Sequence, residues 1–346
     1  MNYELKENVS LQPYNTFGID VASAYFARFS SAAQLAELLE FRRQEKLPLL
    51  LLGGGSNILL TKDVDGITLK NEISGMHIIK EDEHHAYVQA GAGENWHGFV
   101  QYCITAGLAG VENLSLIPGN VGASPMQNIG AYGAEIKDVF HSLEAFHIGE
   151  KKMHRFSLND CEFGYRESVF KRKYRDQFVI CSVTYRLNKQ PVFNISYGAI
   201  SQELEKMGVQ DLSIKAVSEA VIRIRQSKLP DPKETGNAGS FFKNPEVLQE
   251  AYDALKAQYP GIVGYELPNG HVKLAAGWLI ENCGPAEGQS WKGYRIGDAG
   301  CHARQALVLV NYGHARGKDI YDLSSAILES VQRKFGVVLE REVNVL

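Results

Sequence analysis

Between Ile117 and Gly133 the chain reads IPGNVGASPMQNIGAYG, four glycines interleaved with Ser, Gln, Asn and Tyr. Such a composition sustains neither a helix nor a strand. It offers backbone N–H groups and short polar side chains to a ligand lying along it, as an extended diphosphate-bearing cofactor requires. An Ω-loop packed on itself is the competing possibility. A second cluster, Gly53-Gly54-Gly55-Ser56-Asn57, directly follows the apolar segment Leu47–Leu52. Without Cβ atoms, its N–H groups can converge on phosphate oxygens; a tight turn is the alternative. Two separated cradles suit one long dinucleotide. They are not the familiar nucleotide loops, since no Gly-Lys-Ser/Thr follows the triple glycine and Gly91-Ala-Gly93-Glu-Asn-Trp96 lacks its third glycine.

At 346 residues, and with roughly 150 residues to a domain, two or three domains are expected. Lys+Arg 36 against Asp+Glu 40 gives a net charge of −4, and no block of like charge marks a nucleic-acid or membrane face. An anionic small molecule would need a local basic pocket. The opening MNYELKENVS carries Glu4, Lys6 and Glu7 where a secretory leader would be apolar, and nothing approaches eighteen consecutive apolar residues. Cys103, Cys161, Cys181, Cys283 and Cys301 are odd in number, widely spaced and without C-x-x-C, so neither a disulfide framework nor a zinc site is implied. A reducing cytoplasm is the expected home.

Helical and strand periodicities are mixed. Ser31-Ala-Ala-Gln34 reads as a capping box before Leu35, Leu38 and Leu39, and Trp96, Phe99, Val100, Cys103 and Ile104 form one helix face that ends at Gly107. Tyr87–Ala90, Ser142–Ile148 and Phe178–Leu187 read as strands. The last helix puts Ile320, Leu323, Ile327, Leu328, Val331 and Phe335 on one side, with Gly336 after it. Val337–Val343 reads as a closing strand, with Glu340 and Glu342 opposite Val337, Leu339 and Val343. A domain junction is expected near residues 200–215.

Among candidates for chemistry, Arg166 in Phe163-Gly-Tyr-Arg-Glu-Ser168 follows a glycine and an aromatic, a setting that can hold a guanidinium rigid against a carboxylate. Ser240 stands between Gly239 and two phenylalanines. It lacks the G-x-S-x-G elbow and a nearby histidine base, so a proton-donating hydroxyl suits it better than a nucleophile. His84-His85 reads as a solvated turn rather than a metal site. Cys301 and His302, adjacent on a strand, would point to opposite faces and cannot pair as nucleophile and base.

Together, Asn15–Gly18, Gly53–Asn57, Ile117–Gly133, Gly164–Ser168, Lys228–Pro232, Asn237–Pro245, Lys273–Trp278 and Leu339–Val343 resemble, in order and over nearly the whole chain, the UDP-N-acetylenolpyruvoylglucosamine reductase family. Asn194-Ile-Ser-Tyr197-Gly198 further resembles the branch that closes a tyrosine-bearing loop over its substrate. The resemblance implies an α+β fold, with a two-lobed FAD-binding domain of the vanillyl-alcohol-oxidase (PCMH) type over residues 1–200, its lobes dividing near residue 70. A substrate-binding domain over 211–330 and a returning C-terminal strand over 331–346, carrying Glu340, would follow. It implies FAD as bound cofactor, NADPH as hydride donor, and reduction of UDP-N-acetylglucosamine enolpyruvate to UDP-N-acetylmuramate for peptidoglycan, by a monomer without nucleic-acid or membrane partners.

By the same resemblance, Arg166, Ser240 and Glu340 are the catalytic residues. Hydride delivered to the β-carbon of an enolpyruvyl group drives charge onto the α-carbon and carboxylate, which Arg166 and Glu340 would stabilise, while Ser240 would protonate the α-carbon. A carboxyl such as Glu340 helps only when protonated and donating, or when held in a network with a cation, so a tuned pKa is expected. Tyr197, Lys228, Asn244 and Gln305 match substrate-binding positions. The cofactor positions are Gly53, Gly54, Gly55, Ser56, Asn57, Gly119, Gly122, Ala123, Ser124, Gln127, Asn128, Gly130, Tyr132 and Gly133, and Arg225, which would either neutralise cofactor phosphate or be an exposed helix charge. Arg341 stands where the family usually has proline, which leaves Glu340 less rigidly set. A flavin-dependent oxidase of the same fold and a catalytically silent sugar-nucleotide-binding protein are the competing functions.

Overall fold

Leu35, Leu38 and Leu39 recur at helical spacing behind Ser31, whose hydroxyl accepts the Gln34 N–H at 3.2 Å, and they start helix α1, Ala32–Gln44. In this computed structural model, which describes residues 3–346, α1 packs on a four-stranded sheet ordered Leu5–Ser10, Ala22–Phe29, Val64–Asn71 and Leu49–Leu52. The last two strands and the Ala22–Phe29/Val64–Asn71 pair run parallel, with Ala27 and Leu51 both opposite Leu69. A five-stranded antiparallel sheet follows, ordered Lys152–Ser157, Phe140–His147, Phe178–Asn188, His85–Gly91 and Met76–Glu81.

Helix α2, Trp96–Thr105, starts where the Asn95 side chain accepts the Gly98 N–H. It sets Trp96, Phe99, Val100 and Cys103 against Tyr185 and Val183 of the long central strand. Burying each of these side chains is worth about 1.5–3 kcal/mol, and the aromatic trio Trp96, Phe99 and Tyr185 meets at ring separations of 4.7–5.8 Å. Helices α3, Gly198–Lys206, and α4, Ile214–Lys228, form their own cluster through Ile200, Leu204, Val217, Ala220, Val221 and Ile224.

All this belongs to a unit made of residues 1–9, 23–54 and 64–227; the second unit comprises 10–22, 55–63 and 228–346. The junction thus falls between Ser227 and Lys228, at the last residue of α4, rather than at 200–215. The apolar face of α4 is spent on α3, which keeps both helices with the first unit.

The second unit holds an antiparallel sheet ordered Gly236–Ser240, Val308–Asn311, Ala299–Cys301 and Arg295–Ile296, and a three-stranded sheet of Glu246–Leu248, His271–Leu274 and Gly264–Glu266. Helices α5 (Gln249–Gln258), α6 (Ala276–Glu281) and α7 (Gly317–Phe335) accompany them. Its core gathers Phe17, Leu59, Phe241, Phe242, Leu279, Leu309, Ile320, Ile327, Val331 and Val343. The 10–22 and 55–63 segments are sewn in by Asn237 N–H to Thr16 O (2.9 Å), Asn311 Nδ2 to Phe17 O (2.9 Å) and Leu346 N–H to Leu59 O (2.9 Å).

The tail differs from its expected form. Val337, Leu339 and Val343 are buried while Glu340 is exposed, as alternation requires. Regular pairing is limited to Asn344–Val345 beside Ile58–Leu59, and Arg341 makes an isolated bridge with Phe242. The residues therefore alternate like a strand without joining a sheet along their length.

Candidate active site

In the first unit the two glycine stretches, expected as separate cradles, adjoin. A Cβ on Gly54 would lie 2.8 Å from both Gly119 Cα and Asn120 Oδ1, so only glycine admits this approach. Lys70, unnoticed in the sequence because it ends an ordinary strand, donates to Gly53 O at 2.9 Å, and burial pushes its pKa down. A lysine and closely packed glycine backbones form a donor set that fits an anionic diphosphate.

The long glycine run also carries its own scaffold. Asn128, fully buried at φ +44°, donates to Glu135 Oε2 (3.0 Å) and Gly164 O (3.1 Å) and accepts from Lys137 N–H (3.1 Å). The buried Ser124 hydroxyl bonds Val121 O and the Tyr185 hydroxyl. These side chains hold the loop in shape, while Ala123 and Gly133 lie exposed and Gln127 half-buried on the same run. Gly122 packs its backbone against Ala92.

Arg166 is brought onto this run. Its guanidinium donates to Gly130 O at 2.5 Å and lies over the Tyr165 ring at 5.3 Å, and its φ is +54°. Ser168 Oγ donates to Met126 O at 2.7 Å, tying the far end of the turn to the same loop. A backbone carbonyl and a ring thus contribute to holding Arg166 in place.

At the other end of the run, Asn113 Nδ2 bonds Tyr132 O and Asn194 O, and Asn194 Nδ2 bonds Gly133 O. These bonds draw the 194–197 loop to the run, where the Tyr197 ring meets Tyr132 edge-on at 5.5 Å. Arg225 is no exposed helix charge. Its Nε donates to Leu116 O at 3.2 Å, its charge acts on the Tyr132 hydroxyl, and burial lowers its pKa.

In the second unit Gly55 stands at φ +63° against Tyr14 O, Ser56 is half-buried, and Asn57 is pinned to the tail through Glu342 O and Asn344. Gly239, at φ +70° with its N–H on Asn237 Oδ1, and a register shift between Asn237 and Ser240 turn the Ser240 hydroxyl outward, just before Phe241 and Phe242 plunge into the core. A bulge of this kind re-aims a side chain without disturbing the sheet.

Two backbone bonds, Lys243 N–H to Glu340 O and Glu342 N–H to Phe241 O, zip the tail to residues 241–243 in an antiparallel register that sets Glu340 opposite Lys243 and Glu342 opposite Phe241, next to Ser240. The Glu340 carboxylate sits 2.9 Å from Lys243 Nζ, a partner that lies within the Asn237–Pro245 motif but is given no role by it. Arg341 donates to Ser324 Oγ and Ser325 Oγ at 2.8 and 2.7 Å and lies over Tyr321 at 4.5 Å. Asn244 Oδ1 caps α6 through the Ala276 N–H, Gln305 Oε1 accepts from Leu307 N–H, and Lys228 is exposed at the end of α4. Among the described residues no cluster of His, Cys, Asp and Glu could hold a metal ion, and no helix is long and apolar enough to cross a membrane.

Residues 23–156 match the family described as "FAD binding domain", and residues 231–346 match "UDP-N-acetylenolpyruvoylglucosamine reductase, C-terminal domain". Proteins named UDP-N-acetylenolpyruvoylglucosamine reductase are 49% identical to the chain in Pseudomonas syringae pv. tomato and 50% identical in Amoebophilus asiaticus, each alignment covering 99% of both sequences. A crystal structure of the Thermus caldophilus reductase covers 99% of each chain with TM-score 0.68 and 24% identity, a likeness of fold. The architecture is accordingly α+β, with an FAD-binding domain and a C-terminal domain of the reductase family. Near 50% identity sustained from end to end leaves room for no other assignment, and the chain belongs to the UDP-N-acetylenolpyruvoylglucosamine reductase family.

Proposed function

We propose that the chain reduces UDP-N-acetylglucosamine enolpyruvate with NADPH in peptidoglycan precursor synthesis, and that Arg166, Ser240 and Glu340 carry the second half of the reaction. FAD, when bound, would supply the two-electron chemistry that links NADPH to the β-carbon of the enolpyruvyl group. Gly53, Gly54 and Lys70, with the 119–133 run, would hold its anionic portion. Arg166, locked on Gly130 O, offers a fixed cation where charge develops on the substrate carboxylate. Ser240 gives its proton to the α-carbon, a transfer worth typically 10²–10⁴-fold.

Of the two ways a carboxyl can assist an anionic transition state, the structure favours the network. Glu340 is held by a cation, which is Lys243 rather than a guanidinium. Tyr197, Lys228, Asn244 and Gln305 are proposed to bind the sugar nucleotide. The protein would work as a cytoplasmic monomer, without nucleic acid or membrane. The observation that supports the catalytic reading is the pairing of residues 241–243 with 340–342, which joins the segment that follows Ser240 to the tail that carries Glu340.

The test is an anaerobic visible spectrum. The flavin band should bleach with NADPH and return on adding UDP-N-acetylglucosamine enolpyruvate. Return only with oxygen would favour the oxidase, and sugar-nucleotide binding without any bleaching would favour the silent binder.

A further inference from the structure

Leu116, immediately before the glycine-rich run, has the left-handed φ of +58°, a conformation that costs an ordinary side chain about 1 kcal/mol. Both polar groups of this residue are held. Its N–H donates to His97 Nδ1 at 3.0 Å, and its C=O accepts from Arg225 Nε at 3.2 Å. The charge of Arg225 in turn acts on the Tyr132 hydroxyl, and Tyr132 meets the Tyr197 ring. One imidazole on α2 is therefore linked, through a single strained residue, to the arginine and tyrosine at the end of the cofactor loop.

We propose that His97 is a positioning residue which, as a neutral imidazole accepting the Leu116 N–H, holds Leu116 left-handed and so aims Arg225 at the bound flavin nucleotide. The proposal rests on the reading of Arg225 as a cofactor contact. An accepting Nδ1 fixes the proton on Nε2. A second proton on the ring would turn Nδ1 into a donor facing another donor, and the link would be lost.

The surroundings oppose that second proton. Burial and the charge of Arg225, which faces His97 from α4, lower its pKa below the usual 6.5. His97 also lies in the first turn of α2, at the positive end of that helix. Gln101, one turn further on, is neutral and bonds Ser218 on α4. The folded-state pKa is depressed, so the link is intact at neutral pH and is lost as pH falls through that value.

The test is the FAD dissociation constant between about pH 8 and pH 5 for the wild type, His97→Asn, His97→Leu and Arg225→Gln. Asparagine keeps an acceptor near the place of Nδ1 but does not titrate. The wild type should bind FAD about fivefold more weakly at the acid end, the worth of one hydrogen bond. His97→Asn should bind as the wild type does at pH 8 and lose the acid weakening, and His97→Leu should be weakened at every pH. A His97→Asn variant that keeps the acid weakening overturns the role of His97. An Arg225→Gln variant that binds FAD like the wild type instead overturns the reading of Arg225. Imidazole ¹⁵N shifts check the tautomer independently of FAD, and a proton found on Nδ1 at neutral pH would also refute the proposal.

Discussion

Lys243 Nζ lies 2.9 Å from Glu340 Oε2, and the Lys243 N–H donates to Glu340 O at the same distance, so one residue holds both the backbone and the carboxylate of the other. Glu340 is 71% exposed and Lys243 19%. The ion pair itself is therefore worth no more than about 1 kcal/mol of stability. Its consequence lies in orientation. Lys243→Met should leave the urea midpoint almost unchanged and leave flavin reduction by NADPH unchanged, while flavin reoxidation by the enolpyruvyl substrate slows about tenfold. Single-turnover kinetics of the two half-reactions check this, and equal slowing of both would show that Lys243 does not act through Glu340.

Ser240 owes its exposure to the bulge and to Gly239. Ser240→Ala should keep NADPH bleaching of the flavin within about twofold and slow its recovery 10²–10⁴-fold. Glu340→Gln, which keeps the shape and removes the charge, should show the same split. Wild-type recovery in Ser240→Ala would remove the hydroxyl from the reaction.

What was legible in the sequence was local. The 3.6-residue periodicities of α1, α2 and α7, the Ser31 and Gly336 caps and the strands around Val88, Leu143 and Val183 follow from neighbouring residues and match the structure. What was not legible depends on distant partners. Residues 10–22 and 55–63 join the second unit through bonds to residues about 220 to 290 positions away, and no local pattern announces them. Nothing in their own neighbourhoods gives Lys70 and Lys243 a role; folding places Gly53 and Glu340 beside them. Likewise Asn128 and Ser124 carry residue types that suit a ligand, yet their polar atoms bond the loop's own surroundings.

That scaffold role of Asn128 is testable. Asn128→Ala removes the bonds to Gly164 O, Glu135 and Lys137 and places alanine at φ +44°, where asparagine is better tolerated. Leaving buried partners unpaired costs about 1–3 kcal/mol. A fall of that size in unfolding free energy, read from urea titration, is expected. Because Gly164 opens the turn that carries Arg166, substrate-dependent flavin reoxidation should also slow. Unchanged stability would return Asn128 to the list of ligand contacts.

Arg341 replaces the proline usual at this point of the family, and the expected looseness of Glu340 is countered by side-chain anchorage. The guanidinium is held by Ser324 and Ser325 at one turn of α7 and covers Tyr321. The bonds that zip the tail use Glu340 O and Glu342 N–H, not the Arg341 N–H, so a proline ring at 341 would take nothing from the ladder. Two different devices can therefore fix the same segment, one by restricting φ and one by tethering a long side chain. Arg341→Ala should slow flavin reoxidation by substrate several-fold, with flavin reduction by NADPH unaffected. The double variant Ser324→Ala/Ser325→Ala should reproduce the loss with Arg341 in place, because it removes the acceptors and leaves the cation. Arg341→Pro should recover most of the rate by restoring rigidity without any guanidinium. If Arg341→Pro is as slow as Arg341→Ala while folding normally by circular dichroism, the charge of Arg341 rather than its anchoring of Glu340 is what the reaction needs.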